Sequence, residues 1–124
     1  MRTLDEASVT AAERRALERF VRRLESELGR DLRSVWLYGS RARGEFHGPE
    51  SDVDLLVVAP REHGFADDLR IGRMMDDAAE AEGANPVAFS VHLYPPERVA
   101  QRREIGSFFI QEVDRDKIVL WGDS

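Results

Sequence analysis

Two aspartates two residues apart, Asp52 and Asp54, open an apolar run that continues as Leu55-Leu56-Val57-Val58. On an extended strand side chains alternate between faces. Both carboxylates then point one way, and Val53, Leu55 and Val57 point the other. Like charges held that close repel each other, and taking them out of water makes each more costly. A divalent cation offsets that repulsion. Magnesium in particular takes oxygen ligands and shares them among carboxylates, phosphates and water. Taken alone, the pair reads equally as a solvated strand start, because Gly48-Pro49-Glu50-Ser51 just before it is dense in turn formers.

Upstream stands Gly39-Ser40-Arg41-Ala42-Arg43-Gly44. A glycine after a strand lets another molecule approach the backbone closely. Ser40 adds a hydroxyl and an amide at the start of a short helical turn expected over residues 41–45, and free amides at such a start attract phosphate oxygens. Arg41 and Arg43 add donors whose fork geometry suits phosphate. Alone, this stretch too is an ordinary strand-to-helix turn.

The elements around these residues set where they sit. Thr10 to Glu13 reads as a capping box, followed by Leu17, Phe20, Val21, Leu24 and Leu28 on one helical face, with Gly29 as a left-handed cap. Ser34 to Tyr38 is a short strand and Asp52 to Val58 a second, joined as a hairpin or a short crossover. Phe65 to Glu82 is a helix with Leu69, Gly72, Met75, Ala79 and Glu82 in register, closed by Gly83. Val87 to Tyr94 is a third strand, with Phe89, Val91 and Leu93 on one face and Ser90, His92 and Tyr94 on the other. A helix over Glu97 to Glu104 starts after a proline pair. Ser107 begins another containing Phe108, Phe109 and Val113, and Lys117 to Trp121 is a last strand. Helices interspersed with strands imply an α/β chain of the α+β type, a small mixed β-sheet with helices packed against it.

Composition bounds the partners. The 124 residues suit one compact domain, with 42% hydrophobic residues to build a core and 34% charged residues of mixed sign. A formal net charge of -6 argues against a surface that grips long nucleic acid. There are no cysteines, which removes disulfides, thiol catalysis and zinc-thiolate sites. No apolar run approaches the ~20 residues of a membrane span, and Met1 to Glu13 lacks the apolar centre of a signal peptide. A cytoplasmic protein is the expectation. Lys117 is the sole lysine among many arginines, a bias that genomic codon usage and surface solvation explain more readily than phosphate binding does.

Together the two motifs are far more specific than either alone. Leu37-Tyr38-Gly39-Ser40-Arg41-Ala42-Arg43-Gly44 followed by Ser51-Asp52-Val53-Asp54-Leu55-Leu56-Val57-Val58 resembles the DNA polymerase beta-like nucleotidyltransferase superfamily, in its small minimal nucleotidyltransferase branch. The resemblance implies that Gly39 and Ser40 hold the phosphates of a nucleoside triphosphate, ATP by preference, with Arg41 and Arg43 as further nucleotide-binding residues. It implies that Asp52 and Asp54 are catalytic and bind two magnesium ions, or manganese in their place, for in-line attack of an acceptor hydroxyl on the alpha phosphorus. Some members of the branch serve as antitoxins that adenylylate a small helical toxin, so a protein acceptor is among the expected partners.

The sequence departs from the family in one respect. Active members commonly carry a third carboxylate on a neighbouring strand, and Val87 to Tyr94 has none: its candidate face offers Ser90 and His92. Neutral histidine suits softer metals than magnesium. Glu45 and Glu50 lie in the connection between the motifs, and Asp114 and Asp116 are expected at a solvated turn before the last strand. The match includes no appended helical domain to hold an acceptor, so a second subunit or another protein is expected to supply that surface. A nucleotide- or partner-binding module without turnover is the alternative expectation. An Asp-x-Asp nuclease or phosphatase would leave the Gly-Ser turn unexplained.

Overall fold

The computed structural model describes residues 2–45 and 51–124. Four strands form one sheet in the order β3-β2-β1-β4: β1 (Ser34–Tyr38), β2 (Val53–Val58), β3 (Phe89–Tyr94) and β4 (Ile118–Gly122). The first two pair antiparallel, which decides for the hairpin over the crossover. β3 lies parallel to β2, and the helix between them provides the return. β4 pairs antiparallel with β1 on its other side, and Arg2 makes an isolated bridge to Ile118 that the sequence did not suggest. The sheet is mixed, as expected.

Both faces of the sheet are covered. Helices α1 (Ala11–Leu28) and α2 (Phe65–Glu82) lie on one side. Their Leu17, Phe20, Leu24, Met74 and Met75 share a core with Val35, Leu37, Leu55 and Val57. Helices α3 (Pro96–Glu104) and α4 (Phe108–Asp116) lie on the other, where Val99, Ile110 and Val113 meet Trp36, Leu56 and Val58. This is why the second half of β2 reads as an unbroken apolar run: each residue finds a covered face. Among the described residues no helix is long and apolar enough to cross a membrane.

The capping box forms as expected. The Thr10 hydroxyl accepts from the Glu13 amide at 3.1 Å, and the Glu13 carboxylate accepts from the Thr10 amide at 2.8 Å. Five expectations need correction. β2 starts at Val53, so Asp52 stands just before the strand rather than opening it. Gly29 has a positive φ of 54° but ψ of -124°, so it is not a left-handed cap; the chain runs on into a 3-10 turn, Gly29–Asp31, that leads into β1. The buried face of α2 is set by Ile71, Met74, Met75, Ala78 and Ala79, while Leu69 is 46% exposed. Glu82 faces α1, paired with Arg15 and Arg19. β3 starts at Phe89 rather than Val87, because Asn85 accepts from the Val87 amide and caps a 3-10 turn over Pro86–Ala88. Lys117 ends α4 instead of opening β4, which runs from Ile118 to Gly122.

Candidate functional site

The site lies on the α3–α4 side of the sheet, at the end where β1 stops and β2 begins. Alternation along β2 sends Asp54 to the same face as Leu56 and Val58, and in register it faces Tyr38 on β1 and Ser90 on β3. Asp52 precedes the strand and is exposed. Its charge acts on Asp54, so the two carboxylates do feel each other.

Gly39 ends β1 with a φ of 80°, and a Cβ added there would stand 2.5 Å from an Asp54 carboxylate oxygen. Only a glycine both takes that backbone conformation without strain and lets the carboxylate rest on the main chain. The turn after it closes with the Arg43 amide donating to the Gly39 carbonyl at 3.2 Å and the Glu45 amide to the Ser40 carbonyl at 3.0 Å. The Ser40 and Ser51 hydroxyls lie 3.1 Å apart, so the end of the first motif touches the start of the second. The structure thus brings together Gly39, Ser40 and Asp54, which are separated in sequence by the connection between the strands.

The two arginines of the turn are placed differently. Arg41 is buried at 2% exposure. Its Nη1 donates to the Ser8 carbonyl at 2.8 Å and to Glu13 at 2.9 Å; Nη2 donates to Glu13 at 3.4 Å and to the Ser51 carbonyl at 3.0 Å; Nε donates to that same carbonyl at 3.2 Å. Arg43 is one-third exposed and pairs with Asp116 at 2.6 Å and with Glu45 at 2.9 Å. Asp116 is not at a solvated turn: it is buried at the end of α4, and Arg115 also bonds to it at 3.0 Å. Asp114 is likewise engaged, by Arg103 and Lys117 at 2.8 Å each.

Electrostatics divide these carboxyls into two groups. Burial opposes ionisation of Glu13 and Asp116. Hydrogen bonds from Arg41 and Thr10 to Glu13, and from Arg115 and Arg43 to Asp116, outweigh it and hold both below the usual carboxyl range. Asp54 goes the other way. Burial, then the neighbouring Asp52 charge, push it up to about 6, with only a partial offset from the Arg41 charge. Tyr38, opposite it, is raised by burial and by Asp54, so its phenol stays neutral.

An aromatic cluster lies on the same face of the sheet. Phe109 of α4 stands edge-on to Tyr38 at 5.6 Å and lies 5.7 Å from Tyr94, with the exposed His92 at 6.2 Å. The helical pattern around Phe109 does not reveal that its ring packs on Tyr38, the cross-strand neighbour of Asp54. Tyr38 could have been found, since it ends β1 immediately before Gly39. Among the described residues no group of three acidic, histidine or cysteine side chains converges to hold a metal. Ser90 takes the position beside Asp54, and Glu50 lies outside the described residues. Two oxygen-only donors, one of them held above its ordinary pKa, nonetheless suit a hard divalent cation, which would relieve both the repulsion and the burial cost.

The sequence pattern of the nucleotidyltransferase domain family matches residues 15–119. Two solved structures of the toxin-antitoxin MntA-HpeT share the fold. One, carrying two Asp-to-Glu substitutions, is 18% identical with a TM-score of 0.50, over 84% of this chain and 72% of that one. The other, carrying a Tyr-to-Ala substitution, is 20% identical with a TM-score of 0.50, over 86% and 73%. No curated protein matches the sequence.

Proposed function

The chain belongs to the nucleotidyltransferase domain family, and from that premise we propose that it transfers a nucleoside monophosphate from ATP to a hydroxyl of an acceptor, with magnesium or manganese as its cofactor. The observation that carries this reading is the Asp54 carboxylate seated on the Gly39 backbone, next to Ser40 and within the field of Asp52. Asp52 and Asp54 would hold the metal, and Ser40 would donate its hydroxyl to a phosphate oxygen. When bound, the divalent ions neutralise triphosphate charge and lower the pKa of the attacking hydroxyl. Tyr38 stands opposite Asp54 with Phe109 packed on its ring, and excluding water there would strengthen the charge interactions of the site. The acceptor oxygen forms a bond to the alpha phosphorus as the bond to the bridging oxygen breaks, and pyrophosphate leaves. The fold shared with the toxin-antitoxin MntA-HpeT supports a protein acceptor.

The test is incubation with labelled ATP, magnesium or manganese, and candidate partner proteins. Label should reach the acceptor with the native chain and not with Asp54→Ala; transfer that survives Asp54→Ala overturns the assignment.

One observation favours a second reading, a module that binds nucleotide without turnover. The residue opposite Asp54 on β3 is Ser90, which supplies no charge. Ser90→Asp discriminates the two. If two carboxylates are too few for turnover, this variant should release pyrophosphate from ATP where the native chain only binds it. Equal release by both chains favours the enzyme as it stands.

A further inference from the structure

The guanidinium of Arg41 carries five N–H groups, and the five hydrogen bonds described above engage all of them within the protein. A phosphate could recruit Arg41 only by dismantling that set. Two of the bonds end on the Ser51 carbonyl. That carbonyl shares a planar peptide unit with the Asp52 amide, so anchoring it fixes the plane from which the Asp52 side chain departs. On its other side the guanidinium rests on Glu13, whose carboxylate is itself tied to the Thr10 amide at 2.8 Å at the start of α1. The Ser8 amide also donates to the Arg41 carbonyl at 2.8 Å, so the main chain of this arginine is held as well as its side chain.

We infer that Glu13 and Arg41 act together as positioning residues for Asp52: Arg41 fixes the Ser51–Asp52 peptide, and Glu13 orients Arg41. The first helix thereby reaches a carboxylate of the site around the ends of the two central strands without touching nucleotide. The consequence for metal binding rests on the function proposed above; the consequence for the order of the Asp52 backbone does not.

The experiment uses the full chain as Glu13→Gln, Arg41→Lys and the double variant, at a temperature below all their unfolding midpoints. Without metal, amide order parameters from nitrogen relaxation report on Ser51 and Asp52. In the single variants they should fall from the rigid range near ~0.85 toward ~0.6, while those of α2 and β1 hold. With a non-hydrolysable ATP analogue, Mn(II) affinity read by electron paramagnetic resonance should fall about ten- to a hundredfold, the usual effect of removing a partner behind a metal ligand. The double variant should be no worse than Arg41→Lys, because both changes break one relay. A lowered thermal midpoint with order at Asp52 and Mn(II) affinity unchanged would reduce the network to fold stability and overturn the inference. So would an affinity loss for the metal-free analogue confined to Arg41→Lys, which would assign direct phosphate contact. A native chain that takes no Mn(II) with the analogue would sink the proposed function, and the metal-free order parameters would then decide the positioning role alone. Should Arg41→Lys not fold, Glu13→Gln, which keeps a neutral acceptor, decides it.

Discussion

Two carboxylates within the field of Arg41 have opposite fates. Glu13 is 8% exposed and has both oxygens on the guanidinium and one on a backbone amide, so it stays ionised below the usual range. Asp54 is also partly withdrawn from water, but no hydrogen bond to its carboxylate is seen among the described residues, and the charge of Asp52 adds to the cost of ionising it. Arg43 and Arg115 satisfy Asp116 as Arg41 satisfies Glu13. Among the described residues the buried charges are therefore resolved internally, and the half-buried Asp54 carboxylate has no such hydrogen-bonding partner at a bend that leaves room for a close approach. A paired charge at this turn serves the fold; one without a partner among the described residues is the candidate for meeting a ligand's charge.

Asp54→Asn should break that comparison most sharply, because it moves function and stability in opposite directions. Metal-nucleotide binding should be lost. Without metal, the thermal midpoint at neutral pH should rise by a few degrees. The sign follows from the raised pKa. The Asp54 carboxyl ionises near 3.8 in the unfolded chain and at about 6 in the fold. Below 3.8 both states are neutral and the native chain has no disadvantage. As pH rises through 6 the folded state must accept a charge that the unfolded state already carries at no penalty, and that increment of stability is gone. The midpoint gap between variant and native chain should therefore be absent near pH 4, open between 4 and 6, and stay constant above. Metal should raise the native midpoint and leave that of Asp54→Asn in place. A gap independent of pH would show that Asp54 is not the strained member of the pair.

Gly39→Ala tests the bend itself. A side chain there meets a backbone conformation costing roughly 1–2 kcal/mol for any L-residue, and its Cβ would stand 2.5 Å from the Asp54 carboxylate. Both effects destabilise, and the second also displaces the carboxylate. Denaturant unfolding should show a loss of about that size or more, with weaker Mn(II) binding. If stability falls while metal affinity holds, the carboxylate yields without consequence and the close approach is incidental.

How much of this could be read from the residues depends on how local each cause is. The capping box at Thr10 and Glu13, the span of α1 and the strand Ser34–Tyr38 matched because each is decided within a few residues by caps and periodicity. The separation of Asp54 from Val53 and Leu55 onto opposite faces follows from the two-residue period alone. What sequence could not show was the partner of each charge. Arg41 and Arg43 look alike as donors beside a Gly-Ser turn, yet one is buried against Glu13 and Ser51 and the other reaches α4. Those partners lie far away in sequence and meet only once the sheet has formed. The buried face of α2 matched only at Met75 and Ala79 for a related reason: Ile71 and Met74 join the core shared with α1, and the pattern within α2 admits a neighbouring face almost as well.

Ser40→Ala should have the smallest effect, and it sharpens the line between fold and ligand. The hydroxyl lies 3.1 Å from that of Ser51, a neutral interaction between two partly buried groups. Removing one partner from such a pair costs about 1 kcal/mol, and Ser51 stays in place because Arg41 holds its carbonyl independently. The unfolding midpoint should fall by no more than a few degrees. Nucleotide affinity in the presence of metal should fall by more than the stability lost, since a donor aimed at a phosphate gains strength from the charge it meets. Calorimetric titration of the analogue against the native chain and Ser40→Ala measures the difference. Should the midpoint drop while affinity is unchanged, the hydroxyl joins Glu13 and Arg41 among the groups that hold the turn together, and phosphate recognition must come from the main chain at Gly39 and the bound metal.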